Sequence, residues 1–576
     1  MTIFARSLFF AAALYSICTG AEVPENDRIR IITKLTSEII GRQHYRQQPL
    51  DAAVSARIFD QYFKVLDPNH LFFSAEDIRD FEPHRTRLAE RMKAGDASFA
   101  YLVYDRFLKR FQEYCDFTEQ TLKEPITFDG NDSFTPDRRK LSRAANQEEL
   151  RKLWFAKLKN DLLYFRLVNR SLQNDAKERE KAEDSKVRAL WEGKSPAEKI
   201  SKRLRDLRNV YVQRDKVEIL GLFLEALAET YGPHSGYQPP KMDEDFEINM
   251  TLSLTGIGAT LTSDDGYIKV VSIVPGGPAA LDGRLQPEDR IIAVTQENGE
   301  PIDVIDMSVD NAVQHIRGKA GTKVTLTILP GKKGRNAVPE NITITRDKVV
   351  LKDSEAQGKI QEIPGKDGKK IKVGIISLPS FYMDFSGMFR GDDNYKSCSR
   401  DVEKILLDFQ KQKVDTLVMD LRNNGGGSLP EAIRLTGLFI PSGPVVQVRQ
   451  SSRKCSIESD DDETIRWEKP LVVLVNKLSA SASEIFTGAI QDYRRGVVAG
   501  DTRTFGKGTV LTIIQLEQML GYINKKFPAG SIRLETAMFF RPSGGSVQQL
   551  GVTSDLPLPS LTEKLEVGEM FSDNHL

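Results

Sequence analysis

Histidine is scarce in this chain and missing where catalysis would want it. Only 6 of 576 residues are histidine, and none lies between His315 and His575. A serine nucleophile in that stretch has no imidazole near it in sequence, so its proton would have to go to a lysine. Cysteine is equally thin. Cys115, Cys398 and Cys455 remain beyond the first 21 residues, too few for a disulfide scaffold. A Cys398–Cys455 bridge in an oxidising compartment and three unpaired thiols both stay open from sequence. After the N-terminus no apolar run approaches the roughly 18 residues that would suggest a membrane helix. An excess of either charge is missing too. The 81 basic and 81 acidic residues cancel, which argues against nucleic acid as a partner.

What is present begins with a secretory signal over residues 1–21. Arg6 supplies the positive end, residues 8–17 the apolar stretch, and Thr19, Gly20 and Ala21 the small residues for cleavage. The apolar stretch is too short to span a bilayer. The signal implies a periplasmic or secreted protein with no integral membrane segment once cleaved. Ile17 ahead of Cys18 does not suit a lipid anchor.

A chain this long exceeds one hydrophobic core. Residues 22–235 carry helical apolar spacing and few glycines, as in Leu150, Leu153, Trp154, Leu158 and Leu162. The charge-rich run 175–206 reads as a solvated helix face. The breaker cluster Tyr231-Gly232-Pro233-His234-Ser235-Gly236 closes this region and reads as a structural turn. Residues 245–335 switch to short β-rich runs with Gly and Pro turns and one amphipathic helix at 308–317. Residues 344–562 alternate buried-type strands (373–377, 416–421, 471–475) with helices (400–410, 429–439, 483–494), an α/β pattern. Residues 563–576 form a C-terminal tail. The predicted class is multidomain α+β.

Within the β-rich module, Leu254-Thr255-Gly256-Ile257-Gly258 precedes a strand. Gly276-Gly277-Pro278-Ala279-Ala280 and Gly283-Arg284-Leu285 through Asp289-Arg290-Ile291 follow in order. The module resembles a PDZ domain, which binds an extended peptide by strand addition and holds its terminal carboxylate in backbone amides. The resemblance implies that Gly256, Ile257 and Gly258 supply those amides and that the 308–317 helix walls the groove.

Three segments of the α/β domain carry chemistry. Asp420-Leu421-Arg422-Asn423-Asn424-Gly425-Gly426-Gly427 ends a strand and precedes a helix, where exposed amides suit an oxyanion. Ser481 lies in Leu478-Ser479-Ala480-Ser481-Ala482-Ser483-Glu484, between a strand and a helix; taken alone, such a hydroxyl is a helix cap. Lys507 lies in Phe505-Gly506-Lys507-Gly508-Thr509 and, taken alone, is a surface charge.

In order, behind a PDZ module and a signal, these motifs resemble the C-terminal processing peptidases, the tail-specific serine proteases of family S41. The resemblance covers about 206–558 and is densest over 418–510. It implies a crotonase/ClpP-like serine protease core that cleaves proteins with exposed, often apolar C-terminal tails. By resemblance Ser481 is the nucleophile, Lys507 the general base, and Gly427 and Ala482 the oxyanion amides. Asp492 matches the family's third residue by position. It lies eleven residues and about 16 Å of helix rise beyond Ser481, so a structural role at the helix end is the preferred reading. The reading calls for no metal and no cofactor, and leaves room for an adaptor protein.

The chain departs from the family at Leu511, where a glutamine usually follows the base by four residues. Leucine cannot hydrogen-bond the lysine amine. Gln515 shares its facing but sits about 13 Å further along the strand. Either another polar group orients Lys507 or turnover is reduced. A second departure is Tyr231, where the family usually has an aspartate in this turn. Two other classes stay in view: a noncatalytic PDZ adaptor or chaperone with a protease fold, and a hydrolase or hydratase acting on small acyl substrates.

Overall fold

The computed structural model describes residues 24–174, 195–332, 338–365, 368–519 and 528–576. The signal segment with Cys18, and 175–194 of the charge-rich run, lie outside the described residues.

Long helices fill the predicted helical region: Glu25–Gln43, Ala52–Leu66, Ser98–Thr121, Gln147–Asn174, Pro196–Val212 and Lys216–Glu229. Local chemistry sets their starts. Ser195 and Asp215 each accept the amide three residues on, and Glu198 and Glu218 return the bond, two reciprocal capping boxes. Phe59, Tyr62, Phe223 and Leu227 are fully buried between these helices, and the same core takes in Leu516, Ile532 and Leu534 from the far half of the chain. Turns of the helical region therefore pack on a sheet built from residues some 300 positions later.

The helix Pro240–Thr251 leads into a two-stranded stalk in which Ser253–Gly256 pairs antiparallel with Asp347–Val350. The β-rich module hangs from that stalk. Its antiparallel strands Ala259–Asp264, Tyr267–Ile273, Arg290–Gln296, Lys323–Leu329 and Glu340–Thr345 are neighbours in that order. The helix Val309–Ile316, N-capped by the Ser308 side chain, matches the predicted one. Arg317 at its end reaches the Asp245 carboxylate of the Pro240–Thr251 helix at 3.1 Å.

The α/β domain has two sheets. In the first, Lys370–Ser377, Thr416–Asp420, Leu471–Val475, Val497–Gly500 and Leu556–Pro557 run parallel in that order, with Gln357–Pro364 antiparallel at the edge. Leu471, Val473 and Val475 are all buried in this sheet, the apolar character that parallel strands covered on both faces require. The second sheet is antiparallel. Ser531–Phe540 runs through it, flanked by Thr509–Gln515, Gly443–Gln450 and the short Gly236–Gln238. The Cys398–Cys455 bridge left open by the sequence does not form: both are free, Cys398 buried at the start of the helix Cys398–Lys411 and Cys455 exposed on an edge strand. Residues 563–576 lie along the α/β domain. Lys477 Nζ bonds the Glu563 carbonyl at 2.8 Å, and the fully buried Glu569 donates its N–H to the Phe505 carbonyl at 2.9 Å.

Candidate active site

Ser481 begins the helix Ala482–Asp492 with φ +57° and ψ −114°. A non-glycine residue in that region is strained, at a cost of about 1–3 kcal/mol, and persists only when its surroundings over-determine it. They do. The Asn424 backbone carbonyl accepts from the Ala480 N–H at 3.0 Å and from the Ser483 hydroxyl at 2.9 Å. Asn424 is buried, and its side chain bonds the Leu378 carbonyl at 2.8 Å and the Gly426 N–H at 2.9 Å. Asn423 and Asn476 bond each other twice, at 2.9 and 2.7 Å. The Glu484 N–H bonds the Ser481 carbonyl at 2.8 Å. The two asparagines before the glycines thus clamp the Gly-rich turn to the serine turn.

Glycine is obligatory beside that serine. A Cβ on Gly426 would lie 2.8 Å from Ser481 Cβ, and one on Gly427 would lie 2.4 Å from the Phe381 carbonyl oxygen, with φ at +103° and +143°. Among the described residues neither the Gly427 nor the Ala482 N–H has a hydrogen-bond partner. Ala482 is the first residue of its helix, where amides lack intrahelical acceptors.

Lys507 arrives from the second sheet, two residues before the strand Thr509–Gln515. Glu484 joins it to the serine. This carboxylate is wholly buried and accepts four bonds: Ser481 N–H at 2.8 Å, Thr504 Oγ1 at 2.6 Å, Gly506 N–H at 2.6 Å and Lys507 N–H at 2.9 Å. Burial pushes its pKa up to about 7 against the pull of those donors. Losing a buried, fully hydrogen-bonded charge of this kind leaves several donors orphaned at about 1–3 kcal/mol each. Sequence reasoning quoted Glu484 within a motif without its role; its offset of three from the serine at a helix start was the available signal.

Ser481, Lys507, Gly427 and Ala482 all line one cavity of about 940 Å³. Phe246 and Met250 of the Pro240–Thr251 helix, with Phe385 and Phe389, give the cavity an apolar lining. Lys507 meets the cavity and is otherwise packed in by protein. Burial lowers its pKa from the usual lysine value; Glu535 and Glu569 oppose that, Arg533 adds to it, and Glu484 opposes it. Among the described residues its Nζ has no hydrogen-bond or ion-pair partner. Asp492 stands apart. It pairs with Arg541 and accepts from the Ser543 N–H at 3.1 Å, and it does not line the cavity. Gln515 bonds Asp243 at 3.3 Å. Gly256, Ile257 and Gly258 lie in the PDZ-like module. Ile257 is buried in its core, and its carbonyl accepts from the Ala279 N–H at 2.7 Å. Among the described residues no three His, Cys, Asp or Glu side chains gather as a metal set, and no helix is long and apolar enough to cross a membrane.

A strained serine beside two unengaged amides and a desolvated lysine is suited to acyl transfer. Comparison with known proteins agrees. Residues 36–241 match the tail specific protease N-terminal domain, 246–329 a PDZ domain and 372–558 peptidase family S41. The tail-specific protease of Haemophilus influenzae is 35% identical over 554 residues, 96% of this chain and 73% of that one. The chain belongs to the tail-specific proteases of family S41. It is a serine-type endopeptidase with a helical N-terminal region, a PDZ domain and an S41 core. The carboxy-terminal-processing protease of Bartonella bacilliformis is 32% identical over 351 residues, 60% of this tail-specific protease and 72% of its own length. Among solved structures, the photosystem II D1 C-terminal processing protease aligns at 25% identity and a TM-score of 0.33, over 62% of this chain and 86% of that one. The PDZ domain of a Vibrio cholerae carboxy-terminal protease, solved with a peptide, aligns at 47% identity and a TM-score of 0.17, over 17% and 100%.

Proposed function

We propose that this protease cleaves proteins bearing exposed apolar C-terminal tails, with Ser481 as nucleophile and Lys507 as general base. One observation carries the reading: a single buried carboxylate, Glu484, binds the backbones of both residues, whose side chains face one cavity. Ser481 Oγ attacks the peptide carbonyl carbon while neutral Lys507 takes its proton. The Gly427 and Ala482 amides hold the oxyanion. The C–N bond then breaks, the leaving amine takes the proton from Lys507, and water repeats the sequence on the acyl-serine. Lysine normally titrates near 10.4, so acting near pH 7 asks for a fall of about 3 units; burial of Lys507 works in that direction.

The PDZ domain presents Gly256, Ile257 and Gly258 to the substrate's terminal carboxylate. The signal over residues 1–21 directs the protein to the periplasm or outside the cell. The test is cleavage of one unstructured reporter ending in either an apolar or a charged tail. Ser481→Ala and Lys507→Ala each lose at least about 10⁴-fold in kcat/KM, with unfolding temperature unchanged, and the wild type prefers the apolar tail. Wild-type rates in both variants would refute the dyad; equal rates on the two tails would refute the preference.

A further inference from the structure

Leucine stands at 511, where the family's glutamine would reach the lysine amine. Directly across the antiparallel ladder from Leu511 is Glu535. The register slips between Val510 and Leu511, so Thr536 is passed over and Glu535 is brought opposite Leu511. Bulges of this kind re-aim side chains next to active sites. Residues facing each other across such a ladder have Cβ atoms about 5 Å apart on the same face. A carboxylate at 535 therefore offers oxygen in the space where a glutamine at 511 would offer its amide.

The surroundings of Glu535 are built for it. It is completely buried, and Ser235 Oγ donates to its Oε2 at 3.2 Å. Its backbone is pinned at both ends, with its N–H on Ser235 Oγ at 3.1 Å and its carbonyl accepting the Tyr45 N–H at 2.8 Å. Gly232 makes room for it: a Cβ there would sit 1.9 Å from Oε2. Glu535 Oε1 and the buried Thr509 Oγ1, two residues from Lys507, make no hydrogen bond of ordinary geometry, although, against the effect of burial, His44 and Thr509 are near enough to help hold the Glu535 pKa below its usual value. The lysine amine is likewise without a hydrogen-bond or ion-pair partner among the described residues, and of the charges acting on it that of Glu535 is the largest, opposing the effect of burial.

We propose that Glu535 is the positioning residue for Lys507, its free Oε1 receiving the lysine amine and fixing the direction from which that amine reaches Ser481, in place of the missing glutamine. This rests on the Ser481–Lys507 reading. Other charged or titratable groups converge on the pair: His44 and Arg46 from the end of the first helix, with His44 Nε2 3.7 Å from Glu535 Oε2, His234 from the turn, Arg533 from the same strand, Glu569 from the C-terminal segment and Glu484 from the serine turn. The negative charge of Glu535 favours the ammonium form of Lys507, so it trades some basicity for direction. Removing the charge lowers the lysine pKa and moves the acidic limb of the rate profile to lower pH.

The experiment compares Glu535→Gln, Glu535→Leu and the double variant Glu535→Leu/Leu511→Gln, in the full chain, by the pH dependence of kcat and kcat/KM on a tail-bearing peptide. Glu535→Gln keeps most of kcat at its optimum, and its acidic limb shifts down by about one pH unit. Glu535→Leu loses about 10-fold or more in kcat with KM little changed, and glutamine at 511 restores it. An unshifted acidic limb in Glu535→Gln overturns the proposal, as does an equal kcat loss in all three. If Glu535→Leu does not fold, the limb of Glu535→Gln decides alone. Ser481→Ala and Lys507→Ala run in parallel: activity surviving in those variants refutes the dyad, whereas their inactivity beside an unchanged Glu535→Gln profile refutes only the role of Glu535.

Discussion

The serine turn and the lysine loop face one cavity but are held in different ways. Ser481 is fixed by its own sheet. Asn423, Asn424, Asn476 and Glu484 all lie on the strand ends or helix that flank it, and the parallel strands beneath are buried on both faces. Lys507 is fixed from outside. Its sheet shares a core with the N-terminal helices through Leu516, Ile532 and Leu534, and segments from residues 44–46, 232–235 and 569 close around its loop. A locally determined nucleophile can hold a strained backbone. A base assembled from distant pieces can have its setting adjusted without disturbing that strain.

With the Ser481 and Lys507 side chains left in place, the largest effect expected from breaking the serine side comes at Gly427. Its φ of +143° and a Cβ contact of 2.4 Å with the Phe381 carbonyl mean that Gly427→Ala must move the turn and its amide. kcat/KM then falls by about 10²–10³-fold, while peptide affinity of the PDZ domain, measured by titration, stays as in the wild type. A rate within threefold of wild type would remove Gly427 from the oxyanion site.

The lysine side is broken next, through the shared core. Leu534→Ala empties a fully buried position and costs about 2–5 kcal/mol of stability. Amide hydrogen exchange then speeds up in 505–515 and in the N-terminal helices more than in 482–492. Equal acceleration everywhere would show that the two sides are one cooperative unit.

The smallest effect is a pH dependence, and one acid on each side contributes. Burial pushes Glu484 on the serine side and Glu225 on the lysine side up to about 7. A carboxyl whose folded pKa exceeds its unfolded value binds its proton more tightly when folded. Its stabilisation is full below roughly pH 4.3 and is lost as pH rises towards 7. Glu225 accepts from the Tyr237 N–H at 3.1 Å, a bond that an amide oxygen can also accept. Glu225→Gln therefore flattens the fall in unfolding temperature over that window by about 1–3 °C. Glu484→Gln does not, because each carboxylate oxygen accepts two bonds and the amide nitrogen that replaces one of them would face two donors, and it lowers the unfolding temperature at every pH.

The same contrast explains what the sequence made legible. The Gly-rich turn, Ser481, the strand at 471–475 and the PDZ glycines are short-range patterns whose residues act within a few positions of one another. The predicted strand 471–475 and the PDZ helix fall where the structure has them, because apolar run length and a Ser cap decide both locally. Gly232 and Glu535 gave no such signal. A glycine beside Pro233 reads as a turn, and only the fold brings a carboxylate 300 positions away against it. The Cys398–Cys455 question stayed open for a related reason, since the sequence does not place the helix of Cys398 relative to the strand of Cys455. The run at 563–576 read as a tail, yet the buried Glu569, its backbone bond to Phe505 and the Lys477 bond to the Glu563 carbonyl seat it on the α/β domain.

His234 and Glu569 meet at 2.6 Å across a sequence separation of 335. The chain is made from one end, and long-range contacts form last. A growing polypeptide has every partner of its serine turn once residue 507 has emerged, but its lysine loop still lacks its outer wall. The wall around the lysine loop thus closes only after residue 569 has been made, whereas the bonds that hold the serine turn lie within residues 378–507.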